Sequence, residues 1–169
     1  MENTAVKKLA FCGLFTAMTF IATFINIRLP IASYGGLIHL GSIVLVLSAS
    51  MQETKYAAVS TALGMALFDL VGGWVLWAPA TFIIRFIQVL ILGSTVKRKG
   101  NHIGIIIIAY VLCSLWEMGG YYVAEAVIYG NWVAPLASMP SEILHNIIGI
   151  AGFPLAIHLK KLLHIETKI

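Results

Sequence analysis

Apolar runs long enough to cross a bilayer recur along this sequence, and only short polar turns separate them. Of its 169 residues, 60% are hydrophobic and 11% are charged, and the mean hydropathy of +0.94 lies outside the range of soluble globular domains. No long polar stretch remains that could form a second, soluble domain. The sequence therefore predicts an all-α integral membrane protein with one domain over residues 1–169.

Turn signals and charged residues divide the chain into six predicted membrane-spanning helices. Pro30, Gly35 and Gly36 interrupt the chain after the first apolar run, and the basic residues at 97–99 end the fourth. The predicted spans are residues 5–25, 38–51, 56–71, 79–95, 103–128 and 138–163.

The distribution of basic residues predicts the orientation of this bundle. If six spans leave both termini in the cytoplasm, nine of the eleven Lys and Arg residues fall on the cytoplasmic side, as the positive-inside bias requires. Arg28 and Arg85 are the exceptions. The net charge of +4 thus reflects topology in a lipid bilayer and does not indicate a nucleic-acid partner.

Several ionisable side chains are predicted to lie at one depth in the membrane. A helical rise of about 1.5 Å per residue puts Arg85 roughly 10 Å below the outer surface, counting from Pro79. Glu117 falls at a comparable depth in the fifth span, and His145 and Asn146 lie several residues into the sixth. Because such groups are costly in hydrocarbon, they usually face a cavity or a partner.

Aromatic residues accompany this polar layer, and the combination is typical of a small-molecule pocket. The inner half of the bundle is predicted to be nearly all aliphatic, which argues against a through-channel. The predicted substrate-binding residues are Tyr34, His39, Trp77, Arg85, Glu117, Tyr121, His145 and Asn146.

Some of these polar residues also have purely structural interpretations. Asp69 and Arg85 are equally well explained as a buried ion pair between the third and fourth spans. His39 could satisfy the end of its own helix. Glu125 and Glu142 are expected to lie close enough to the surface to be solvated.

Motifs of catalysis and metal binding are missing from the sequence. It contains no phosphate-binding loop, no His-Glu-x-x-His, no paired-cysteine spacing and no Gly-x-Ser-x-Gly. Cys12 and Cys113 lie in apolar runs, where cysteine behaves as a small core residue. We therefore predict no enzymatic activity, no cofactor and no metal site.

Three features together carry a resemblance to a known family. They are the six short predicted spans, the small residues Gly13 and Ala17 on one face of the first helix, and the run from His39 through Asp69 and Trp77 to Arg85. The chain resembles the substrate-binding S component of an energy-coupling factor (ECF) vitamin transporter. It looks most similar to the riboflavin-type group, which also includes S components for hydroxymethylpyrimidine and vitamin B6 compounds.

The resemblance implies a subunit in the plasma membrane of a prokaryote that captures a vitamin from outside. Such a subunit docks on a membrane-embedded T component carrying two ATP-binding-cassette ATPases, and topples to release its cargo inside. It implies that Gly13 and Ala17 meet the T component and that the loop around Tyr34 is a lid. Packing within the bundle is the alternative role for Gly13 and Ala17. Position 13 departs from the family's usual alanine, since glycine keeps close approach but makes the helix slightly less stable.

The predicted substrate is a small heteroaromatic vitamin or precursor, such as hydroxymethylpyrimidine, pyridoxine or pyridoxal. Arg85 and Glu117 would hydrogen-bond its ring from opposite sides, while Trp77, Tyr121 or Tyr34 would stack on it. Alternatives are a riboflavin-specific S component and a solitary transporter driven by protons through Glu117 or His145. A small membrane enzyme acting on lipid is a third, but a catalytic constellation for it is missing.

Overall fold

The protein is described by a computed structural model, which covers residues 3–28, 36–99 and 102–163. This part of the chain forms seven α-helices, a short 3-10 helix and a two-stranded hairpin. The helices are α1 (Asn3–Phe24), α2 (Gly41–Met51), α3 (Thr54–Val71), α4 (Ala78–Lys99), α5 (Ile103–Tyr129), α6 (Met139–Gly149) and α7 (Gly152–Leu162). The 3-10 helix is Ala134–Ala137, and the strands are β1 (Asn26–Arg28) and β2 (Leu37–His39).

Four helical segments of the described chain are long and apolar enough to cross a membrane: Ala5–Phe24, Ala78–Lys99, Ile103–Tyr129 and Met139–Leu162. The last of these combines α6 and α7. Helix α2 is apolar but has only 11 residues. The chain is therefore a helical, multi-pass membrane protein, while the count of six spans and the cytoplasmic placement of both termini remain predictions.

The small hairpin is an addition to the predicted all-α fold. Strands β1 and β2 pair antiparallel, with Asn26 opposite His39 and Arg28 opposite Leu37. Three-residue strands are too short to leave a period-2 pattern in the sequence, so no strand was expected here. The hairpin brings His39 to the start of α2. The expected lid residue Tyr34 lies outside the described residues.

Small side chains allow the helices to approach one another closely. Ala57, Ala58 and Ala62 on α3 are fully buried. A Cβ atom added at Gly64 would lie 2.7 Å from the backbone oxygen of Thr16, so α1 and α3 meet at this glycine.

The predicted docking residues lie on the other side of α1. Gly13 and Ala17 are both exposed, and a Cβ atom added at Gly13 would meet no atom within 4 Å. The alternative that this pair packs inside the bundle is therefore wrong, and its docking role remains a prediction.

A two-residue turn, Ile150 and Ala151, separates α6 from α7. The Ile150 amide donates to the carbonyl of Ile147, so the carbonyl of Asn146 loses its usual partner in the helix. The Tyr110 hydroxyl of α5 donates to that carbonyl at 2.6 Å. A Cβ at Gly149 would collide with the same hydroxyl, so glycine is needed there.

The end of the bundle remote from His39 contains a neutral polar cluster, which we call the serine–glutamine cluster. Gln52 donates to the hydroxyls of Ser48 and Ser60 at 2.7 and 2.9 Å, and all three residues are buried. The prediction that the inner half of the bundle is nearly all aliphatic is wrong at this cluster. These hydrogen bonds tie α2 to α3.

Candidate functional site

A cleft opens at the end of the bundle where α3 stops and α4 begins. The ends of β2 and α3, the turn at Trp74 and helices α4, α5 and α6 all contribute to its wall. The space between them, including the open mouth, is about 690 Å³.

Arg85 on α4 lines the cleft and is only 2% exposed. Its Nη1 atom contacts the Glu117 carboxylate at 2.5 Å and donates to Gln88 Oε1 at 3.0 Å, and its Nε donates to the Tyr121 hydroxyl at 3.2 Å. The Asp69–Arg85 ion pair considered from the sequence is not formed. Arg85 pairs with α5 because Glu117 lies directly across from it.

Glu117 on α5 collects donors from two neighbouring helices. Gln88 donates to its Oε2 at 2.6 Å, and His145 Nδ1 lies 3.3 Å from its Oε1. An arginine and a carboxylate that touch each other cannot hold a ring from opposite sides, so this part of the substrate prediction is wrong. The network of Arg85, Gln88, Glu117 and His145, here called the charged network, instead joins α4, α5 and α6.

Sequence reasoning missed Gln88 altogether. It lies three residues after Arg85 and therefore shares its helix face, which is the signal that could have found it. Only charged and aromatic residues were considered from the sequence. The neutral side-chain amide of Gln88, which makes two buried hydrogen bonds, was therefore overlooked.

Helix α6 presents Glu142, His145 and Asn146 on one buried face, in agreement with their spacing. Glu142 and His145 line the cleft. Asn146 does not: its side-chain amide donates to the carbonyl of Glu142 in its own helix at 2.9 Å. The structure therefore gives Asn146 a local partner that was not recognised in the sequence.

His39 has the structural role considered for it, while its contact with a ligand remains a prediction. Its Nδ1 accepts a hydrogen bond from the Gly41 amide at 3.1 Å, which satisfies the start of α2. Its ring also lines the cleft and lies 4.2 Å from the His145 ring, centroid to centroid.

Two glutamates expected to be solvated are buried in the cleft wall instead. Glu125 is 2% exposed and accepts a hydrogen bond from the Ser138 hydroxyl at 2.8 Å, because the 3-10 helix and the start of α6 pack across the end of α5. Glu142 is 8% exposed. Glu117, Tyr121 and Glu125 repeat at intervals of four, which places them on one face of α5.

Aromatic side chains form the remaining wall. The Trp77 ring lies 6.2 Å from the rings of both Tyr121 and Tyr129, and Arg85 Cζ lies 5.1 Å from the Tyr121 ring centre. Of the predicted binding residues in the described chain, His39, Trp77, Arg85, Tyr121 and His145 line the cleft. Glu117 contacts Arg85 but does not itself line the cleft.

Glu117, Glu142 and His145 bring three potential metal-ligand atoms within 4.8 Å of one another. The guanidinium of Arg85 already contacts the Glu117 oxygen concerned. A metal ion at this point would have to displace that cation or sit beside it, so the donor set suits hydrogen bonding better than metal coordination.

Comparison with known proteins decides the family. Residues 3–161 match the family described as ECF-type riboflavin transporter, S component. The chain belongs to this family. It is therefore the substrate-binding S component of an ECF transporter, and members of this family are transport subunits and not enzymes.

Two other proteins are similar to this S component. A protein of Pyrococcus woesei described as "Uncharacterized protein in gap 3'region" is 29% identical over 124 residues, which are 73% of this chain and 82% of the relative. A solved structure described as the S component of a bacterial ECF transporter superposes with a TM-score of 0.74 at 19% identity, and covers 95% of this chain and 99% of its own. That structure shares the fold.

Proposed function

We propose that this S component captures a small heteroaromatic vitamin or vitamin precursor, such as hydroxymethylpyrimidine, pyridoxine or pyridoxal, for ATP-driven uptake. The observation that carries the proposal is a cleft with an aromatic wall at Trp77 and Tyr121 above a buried polar floor centred on Arg85. Such a site holds a flat ring by its faces and orients it through its edges.

The charged network fixes the floor of this site before a ligand arrives. Arg85 and Glu117 neutralise each other, and Gln88 and Tyr121 restrain the guanidinium in one position. A ring that enters would stack against the aromatic wall and meet His39, His145 and the nearby carboxylates at its edge. Little side-chain reordering is then required, which favours tight binding.

We further propose the cellular arrangement that the family resemblance implies. Six spans with both termini in the cytoplasm, in the plasma membrane of a prokaryote, would turn the cleft to the outside. The exposed pair Gly13 and Ala17 would meet a T component that works with two ATP-binding-cassette ATPases. The outward position of this pair on α1 supports the proposal.

Binding by the purified chain in detergent tests the substrate proposal. We expect one compound of a panel of pyrimidine, B6, flavin, thiamine and biotin vitamins to bind at submicromolar concentration without ATP. A panel in which no compound binds would overturn it. Uptake into proteoliposomes that lack any ATPase, driven by a pH gradient alone, would instead establish a proton-coupled transporter.

Substitution on α1 tests the partner proposal. Gly13→Leu adds bulk where the isolated chain has open space, so ligand affinity should stay unchanged while uptake with the T component and ATPases is lost. Gly64→Leu is the matched control inside the bundle, and it should impair folding itself. Normal uptake by the Gly13→Leu protein would exclude this docking face.

Riboflavin is the second candidate substrate, because the matching family is described as a riboflavin transporter component. Its three fused rings would need more of the aromatic wall than a single ring does. Direct titration with riboflavin beside pyridoxine and hydroxymethylpyrimidine decides between them, since the true substrate should bind at least about a hundredfold more tightly.

A further inference from the structure

Three polar atoms of cleft-lining residues lack a hydrogen-bond partner among the described residues. They are Asp69 Oδ2, Glu142 Oε2 and His145 Nε2. Their side chains are 9%, 8% and 1% exposed, so water does not freely compensate them. Buried polar groups are nearly always paired, and unpaired ones that line an open cleft point to a ligand.

All three of these atoms can accept hydrogen bonds. Each carboxyl group is an acceptor only in its ionised form, which an entering cation would favour. His145 Nδ1 lies 3.3 Å from Glu117 Oε1, so the neutral ring that carries its proton on Nδ1 presents a lone pair at Nε2. A second cation at His145 is not needed, because Arg85 already neutralises Glu117.

The charged side chains that line the cleft also favour a ligand that donates hydrogen bonds. Asp69, Glu125 and Glu142 all contribute carboxylates to its lining, and Arg85 is the cation that the described lining supplies. That guanidinium is held by Glu117, Gln88 and Tyr121. An entering anion would therefore meet three carboxylates and a cation that is already paired.

From this imbalance we infer that the ligand presents a positively charged or N–H-rich nitrogen group to Asp69, Glu142 and His145, and that it carries no phosphate or carboxylate. The inference rests on the proposed function and adds the charge of the substrate to it. Charge-assisted hydrogen bonds from an ammonium or amino group would satisfy the three orphan acceptors. Phosphorylated vitamins would be rejected by like-charge repulsion.

Matched ligands test the inference on two ring systems. The pairs are pyridoxamine with pyridoxine, in which an ammonium replaces a hydroxyl, and hydroxymethylpyrimidine with its analogue that lacks the ring amino group. We expect the compound with the nitrogen group to bind at least about tenfold more tightly in whichever pair binds, and pyridoxine phosphate not to bind. Equal or tighter binding of the compound without that group, or binding of the phosphate ester, overturns the inference.

Charge-removing variants test the named residues. Asp69→Asn and Glu142→Gln keep the size of each side chain and should each weaken binding of the amine by about tenfold or more. Glu53→Gln removes a carboxylate outside the cleft, where Glu53 pairs with Lys8, and should leave affinity unchanged. Unchanged or increased affinity of both cleft variants overturns the assignment.

Mass spectrometry of the molecule that co-purifies with the full chain tests the charge inference separately from the proposed function. A bound vitamin with an amino or cationic nitrogen and no acidic group supports both. A bound vitamin that carries phosphate or carboxylate overturns the charge inference and leaves the proposed function standing. If no small molecule co-purifies and no compound of the vitamin panel binds, the proposed function and the inference fall together.

Discussion

Two buried polar groupings tie the helices together, one at each end of the bundle, and they differ in charge and in what they border. The charged network joins α4, α5 and α6 through an ion pair and borders the cleft. The serine–glutamine cluster joins α2 and α3 through neutral hydrogen bonds. Neutral groups are enough to connect helices. Burying the charges of Arg85 and Glu117 next to the cleft costs desolvation energy, which indicates a role beyond packing.

The largest expected effect comes from breaking the ion pair of the charged network on one side. Arg85→Met leaves the Glu117 carboxylate buried without its cation, which should cost about 3–5 kcal/mol in the free energy of unfolding. Reversible denaturant unfolding in detergent micelles measures this cost.

The double variant Arg85→Met with Glu117→Leu provides the control. Because both charges are removed together, most of the lost stability should return, while ligand binding remains absent. Equal stability of the single and double variants would contradict the assignment of the lost stability to an unpaired Glu117 carboxylate.

A matched pair of glutamines compares the two groupings directly. Gln88→Leu removes a donor from the Glu117 carboxylate and should destabilise the protein by about 1.5–3 kcal/mol, the range for hydrogen bonds to charged groups. Gln52→Leu removes two neutral hydrogen bonds and should cost about 0.5–1.5 kcal/mol for each of them.

Ligand affinity distinguishes the same two variants. Gln88→Leu should weaken binding because Arg85 loses a restraint, whereas Gln52→Leu should not affect it. The contrast between the groupings fails if Gln52→Leu disturbs binding as strongly as Gln88→Leu does.

The smallest effect is expected at the exposed ion pair between Lys8 and Glu53 near the serine–glutamine cluster. The hydrogen bond from Lys8 lowers the pKa of the Glu53 carboxyl. A lowered carboxyl pKa contributes stability above the ordinary glutamate range, and this contribution is lost as the pH falls through the folded-state pKa.

Glu53→Gln should therefore lower the melting temperature slightly near neutral pH and by less near pH 3, because the contribution is lost as the pH falls below the ordinary carboxyl range of about 4 towards the lowered folded-state pKa. Thermal unfolding of both proteins at the two pH values measures the difference. If the difference in melting temperature between the two proteins grows as the pH falls, the direction assigned to the Glu53 pKa shift is wrong.

The sequence was sufficient to predict a helical membrane protein and the members of one polar layer. Charge in an apolar chain is so costly that Arg85, Glu117 and His145 are visible as exceptions, and the structure gathers them at one site. Their pairing was not predictable, because Asp69 and Glu117 are both plausible partners of Arg85 until the relative rotation of α3, α4 and α5 is known.

Other features escaped prediction because they depend on tertiary contacts. Burial of Glu125 requires the 3-10 helix to cross the end of α5, and no local pattern in the sequence encodes that crossing. The three-residue strands are held by each other and not by their own propensity. Residues whose partners lie on the same helix face, such as Gln88 beside Arg85, were within reach of a fuller spacing analysis.

The turn between α6 and α7 has a mechanical consequence. A carbonyl released in a membrane-embedded helix costs several kcal/mol unless another donor replaces its partner, and the Tyr110 hydroxyl does so for Asn146. This hydrogen bond ties the end of α6 to α5. Moving α6 away from α5 would therefore cost the hydrogen bond, and α6 is the helix that carries Glu142 and His145.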